Sequence, residues 1–129
     1  MKTFIVTIVI GAVLLGGAVV FLNKSVNQKA PEAAASNVTV VDDKQIIEIT
    51  AKGGYLPRQT MAKADLPTIL RFNTKGTFDC SSVVRIPSMD ISKNLPASGV
   101  TDIDIGSQKV ATLQGTCGMG MYPFEVTFN

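Results

Sequence analysis

The residues best suited to chemistry are Cys117-Gly118-Met119-Gly120-Met121, read with the second cysteine, Cys80, and the absence of histidine from all 129 positions. Thiolates and thioethers are polarizable donors that select soft ions such as Cu(I). A blue-copper electron-transfer centre needs imidazoles beside its cysteine, and zinc sites usually combine Cys with His, so the lack of histidine argues against both. With alternate residues carrying sulfur, an extended backbone would turn Cys117, Met119 and Met121 toward one point. Cys80 would then arrive from another loop.

Two cysteines in a small β domain also suit a disulfide, and methionines also suit apolar packing. Both alternatives stay open on these residues. The flanking glycines favour the metal reading, because a packed strand gains nothing from residues without side chains. Met61 and Met89 read as packing residues and Asp79 as a turn residue, since a hard carboxylate suits Cu(I) poorly. An enzyme is not expected: there is no histidine base, paired-carboxylate motif or nucleophile elbow.

The elements that must position these residues are short β-branched runs. Lys44 to Thr50, Thr68 to Phe72, Val83 to Ile86, Val100 to Ile105, Lys109 to Leu113 and Phe124 to Phe128 read as strands, with Val38 to Val41 as a further one. In the fourth run Thr101, Ile103 and Ile105 share one face, while Asp102 and Asp104 share the other, the period of a half-buried antiparallel strand. Gly53-Gly54, Leu66-Pro67, Lys75-Gly76, Leu95-Pro96, Ser98-Gly99 and Gly106-Ser107 mark turns. The pattern predicts an all-β sandwich with Greek-key connections. Its expected core contains Ile47, Ile49, Leu70, Phe72, Val84, Ile86, Val126 and Phe128. Cys80 and Cys117 both fall in loops, and Pro123 would mark the start of the last strand.

Ahead of this domain the run from Phe4 to Leu22 carries no charge and only Thr7 as a polar side chain. At about 1.5 Å per residue it nearly spans the ~30 Å hydrocarbon core of a bilayer, as expected of a single transmembrane anchor over 4–22. It exceeds the usual ~7 to 15 residue signal-peptide core, and no small-residue cleavage site directly follows it. Residues 23–36, mixing Pro, Ala and polar side chains, read as a flexible linker to a domain over 37–129. Acidic and basic residues balance in that domain, so the net charge of +2 comes from the three N-terminal lysines less Glu32. Nothing in this balance suggests a nucleic-acid partner. The lysines flanking the anchor permit a cytoplasm-facing domain.

Together, Gly53-Gly54-Tyr55, Cys80 before Val83-Val84, Leu95-Pro96 and the closing Cys117-Gly118-Met119-Gly120-Met121 resemble the membrane-anchored, cupredoxin-like Cu(I) chaperones that work beside copper-exporting P-type ATPases. The resemblance runs over residues 45 to 129. It implies a cupredoxin fold holding two Cu(I) ions in a thiolate-bridged cluster, with Cys80 and Cys117 as thiolates and Met119 and Met121 as thioethers for the more weakly held ion. It further implies a role in copper resistance, with Cu(I) passed to the exporter. The competing expectation is a membrane-tethered β-sandwich interaction domain with a structural disulfide.

Overall fold

The computed structural model describes residues 37–129. The expected anchor over 4–22 and linker over 23–36 lie outside the described residues. Among the described residues no helix is long and apolar enough to cross a membrane.

Among the described residues ten strands form two five-stranded sheets. The first is built from β1 (Val38–Val41), β2 (Lys44–Ala51), β5 (Pro67–Lys75) and β8 (Ser98–Ser107) in that order, with β3 (Tyr55–Leu56) paired to β2. In the second the order is β4 (Gln59–Ala62), β10 (Pro123–Phe128), β9 (Ala111–Cys117), β6 (Val83–Ile86) and β7 (Ile91–Asn94). The β2–β5 and β4–β10 pairs are parallel, and the other pairs are antiparallel. Among the described residues the only helices are two single 3-10 turns, Cys80–Ser82 and Pro87–Met89.

Alternation explains which face each strand buries. In β2, Gln45, Ile47, Ile49 and Ala51 point inward; in β5, Thr68, Leu70, Phe72 and Thr74 do so. Every core residue expected from the sequence is buried. β8 also follows its expected phase, with Ile103 and Ile105 buried and Asp102 and Asp104 exposed. The buried amide side chain of Gln45 is satisfied: it donates to the Lys63 carbonyl and the Thr68 hydroxyl and accepts from the Lys63 N–H.

Three strands go beyond the sequence reading. β3 has only two residues, β4 buries Thr60 and Ala62 rather than large side chains, and β7 exposes three of its four residues. The last two are sheet edges, where hydrophobic alternation is weakest. The strand expected over Lys109 to Leu113 instead runs from Ala111 to Cys117. Its continuation passes through Gly115, whose lack of a side chain serves the packing. A Cβ there would lie 2.1 Å from the Phe124 ring, so the missing side chain makes room for an aromatic opposite it in the ladder. Met61 also departs from expectation, for it is exposed on edge strand β4.

Phe124 in turn meets Tyr55 and Phe72 edge-on, with ring centroids 5.0 and 5.7 Å away. This aromatic cluster joins the two sheets. Gly115→Ala should therefore displace Phe124 and destabilise the domain by about 2 kcal/mol, the scale of overpacking a close-packed core. Urea unfolding of the variant should show a lowered midpoint; an unchanged midpoint would mean that the ring moves aside without cost.

Candidate metal centre

Cys117 is the last residue of β9 rather than a loop residue, and it is fully buried in the core. β6 lies beside β9 with Val84 opposite Cys117. The chain entering β6 must therefore pass over the end of β9, and it does so as the 3-10 turn opened by Cys80. The Cα atoms of the two cysteines are 5.6 Å apart, and their sulfurs are joined in a disulfide. This is the oxidised form of the pair, and in it neither sulfur is a thiolate. Cys80 is half-buried, so the pair has an inner and an outer member.

The Cys80 side is held by three tethers. Thr77 donates from its N–H to the Ala97 carbonyl and from its hydroxyl to the Ala51 carbonyl, tying the loop to the end of β2. Asp79 caps the 3-10 turn, accepting from the Ser81 N–H at 2.8 Å and from the Ser81 hydroxyl, while its other oxygen accepts from the Gly53 N–H at 2.8 Å. These bonds, those from Ser81 foremost, lower the Asp79 pKa below its ordinary value. Asp79 is thus a turn residue, as expected from its type. From beneath, the buried Tyr55 hydroxyl donates to the carbonyls of Val83 at 2.9 Å and Ser81 at 3.3 Å. Burial raises the Tyr55 pKa, with the nearby Asp79 charge adding to it. The Gly-Gly-Tyr segment therefore supports the Cys80 turn, a role that its residue types alone did not reveal.

The Cys117 side is a tight turn, not the extended run that the alternating sulfur residues suggest. The Gly120 N–H donates to the Cys117 carbonyl at 3.0 Å, and the Cys117 N–H donates to Tyr122 at 3.2 Å. Gly120 adopts φ +74°, which favours glycine. Gly118 has a packing reason of its own: a Cβ there would lie 3.3 Å from that of Val83. The turn directs two backbone donors at the sulfurs, the Met119 N–H toward Cys80 Sγ and the Met121 N–H toward Cys117 Sγ, each at 3.3 Å. Such donors stabilise negative charge on sulfur and favour the thiolate once the pair is reduced. Met119 and Met121 are 78 % and 60 % exposed, and Phe78, in the Cys80 loop, is 85 % exposed. Met89 lies elsewhere, half-buried against the core.

Among the described residues no three Cys, His, Asp or Glu side chains group as a metal-ligand set. A metal at this end would have to draw on the cysteine pair and on softer donors. Asp79, next to Cys80 in the chain, already has both oxygens engaged by protein donors.

Two packed sheets with almost no helix, and a sulfur pair where β9 ends, define an all-β sandwich of the cupredoxin type. The chain belongs to the family described as the cupredoxin-like domain, whose model matches residues 12–127. No curated protein matches the sequence. Among solved structures it is similar to the metal-binding domain of the Streptococcus pneumoniae D39 Cu(I)-exporting P-type ATPase CopA with Cu(I). That match has 19% identity and TM-score 0.64, covering 71% of this chain and 92% of the other. A copper-binding protein solved in its apo form is similar at 22% identity and TM-score 0.66, over 71% of this chain and 94% of the other. At these identities the likeness is one of fold.

Tyr55→Phe should cost about 1 to 2 kcal/mol, because it removes the hydroxyl that two loop carbonyls share. Denaturant unfolding with an unchanged m-value checks this. A variant as stable as the parent would show that water replaces the hydroxyl without loss.

Proposed function

We propose that this chain is a membrane-anchored Cu(I)-binding chaperone or sequestration protein of copper resistance, which delivers its cargo to a copper-exporting P-type ATPase. The observation that carries this reading is the Cys80–Cys117 pair, with one backbone N–H directed at each sulfur and two exposed methionines on the same turn. Support comes from the family and from copper-binding structures sharing the fold. The described residues hold no histidine and no carboxylate cluster, so a soft ion suits this end better than a hard one.

In the proposed mechanism a dithiol reductant first exchanges with the Cys80–Cys117 disulfide, giving up two electrons and two protons as it becomes a disulfide itself, and leaves the pair as two thiols. Cu(I) then displaces the thiol protons and takes Cys80 and Cys117 as anionic ligands. Met119 and Met121, being neutral thioethers, hold a second ion more weakly and form the route by which copper leaves. The anchor over 4–22 keeps the domain, facing the cytoplasm, at high effective concentration near the exporter. No catalysis is assigned.

Titration of the reduced full chain with Cu(I) against a competing chelator, without oxygen, tests this. Two equivalents of unequal affinity are expected. Cys80→Ser or Cys117→Ser should abolish tight binding, whereas replacing Met119 and Met121 with Ile should weaken only the looser equivalent. A double-methionine variant that binds both equivalents unchanged would remove the thioethers from the site. Because ordinary thiols titrate near pH 8.5, each proton released makes affinity fall as pH drops below that range. A pH-independent affinity between pH 6 and 8 would show that the thiols are already ionised in the copper-free protein.

A second reading is favoured by the bond itself: a structural disulfide in a tethered interaction domain. Thiol counting on protein isolated without reductant separates the two. Two free thiols protected by Cu(I) support the copper reading; no free thiols, and no copper binding after reduction, support the disulfide.

A further inference from the structure

The two cysteines are held in unequal ways. Cys117 is fixed by the β9 ladder, opposite Val84 on β6 and fully buried. Cys80 lies on no strand and opens a helical turn of three residues, too short to be stable through its own backbone bonds. What holds that turn must come from outside it. Tyr55 and the Leu95 N–H bind the carbonyls that follow Cys80, at Ser81, Val83 and Ser82. Asp79 alone ties the turn to the neighbouring Gly53 loop from the residue preceding Cys80. One carboxylate oxygen accepts from Ser81, so that the cap spans Cys80, and the other accepts from the Gly53 N–H.

We propose that Asp79 is a positioning residue for copper binding: its bridge between Gly53 and Ser81 holds Cys80 within reach of Cys117, so that the reduced pair closes on one ion. This rests on the Cu(I) reading above. Asp79 is not itself a ligand, since both of its oxygens already serve protein donors.

Positioning and charge predict opposite outcomes here. Binding Cu(I) to two thiols with loss of two protons makes the site more negative, so a neighbouring carboxylate acting through charge alone opposes it. Removing that charge would then tighten binding. If the bridge matters, removing it loosens binding, by about tenfold as for other groups that orient metal ligands. Asp79→Asn separates the contributions, because asparagine caps a turn well but sets an NH₂ or a lone oxygen against two separate donors.

The experiment measures Cu(I) affinity of the reduced full chain and its Asp79→Ala and Asp79→Asn variants by chelator competition. In parallel, mass spectrometry follows alkylation of each cysteine in the copper-free reduced proteins. Expected are affinity about tenfold weaker in Asp79→Ala, an intermediate loss in Asp79→Asn, and faster alkylation of Cys80 with Cys117 still protected. Asp102→Asn, which breaks the Arg71–Asp102 ion pair on the first sheet, serves as a control and should leave both readouts unchanged. Equal or tighter copper binding in Asp79→Ala overturns the proposal, as does a common rise in alkylation of both cysteines, which means general loosening. If the parent chain binds no Cu(I), the copper reading fails by itself. The alkylation pattern then still decides whether Asp79 positions Cys80.

Discussion

The pairing of β6 with β9 governs everything at the sulfur end of this domain. Val84 stands opposite Cys117, so the residues just before β6 cross the end of β9 at a fixed height. A slip of one residue would shift the crossing by about 3.3 Å and turn Val84 and Cys117 out of the core. The register is defended by burial, since Val84, Ile86, Leu113 and Cys117 all lose their water on one face. A sulfur pair placed in this way needs no loop to search for it.

The second cysteine is held differently, by polar contacts rather than by a ladder. Thr77, Asp79 and Tyr55 bind the loop from three directions, and each reaches a part of the first sheet or the turn that follows it. The site thus spans the two sheets: β9 supplies Cys117, while residues on or just after β2 and β3 steady Cys80. The aromatic cluster of Tyr55, Phe72 and Phe124 lies between them and couples their positions through packing. In a close-packed interior such contacts transmit small shifts instead of absorbing them.

Much of this was legible from residue types. Strands with clear alternation, such as β2 and β8, were found because a period of two is imposed by one buried face, and the core list followed from the same faces. Pro123 marks the start of β10 as its missing N–H requires. The edge strands were not legible, because β4 buries a threonine and an alanine and β7 buries almost nothing. At the sulfur motif, alternating spacing suggested an extended strand, yet the segment turns at Gly120, and its backbone N–H groups are what meet the sulfurs. The glycines there also have ordinary structural reasons, which weakens composition alone as a sign of metal binding. Tyr55 carried no local signal, since its partners lie 26 and 28 residues away.

The competing readings of the cysteine pair differ by two electrons, not by a different fold. A Cα separation of 5.6 Å lies within the range for a disulfide, and the same two side chains supply two anionic ligands when reduced. Under the proposed copper reading, oxidation and copper compete for one pair of sulfurs, and the redox state of the surroundings selects between them. The directed N–H groups favour the reduced pair, because they stabilise thiolates more than they stabilise an uncharged disulfide. Burial acts on top of this: Cys117 is sealed in the core, Cys80 is half-buried, and the methionine side chains face solvent. In the proposed copper reading, an ion passing outward along that series exchanges charged ligands for neutral ones as it becomes more accessible. On that reading, binding strength declines toward the side from which a receiving protein would approach.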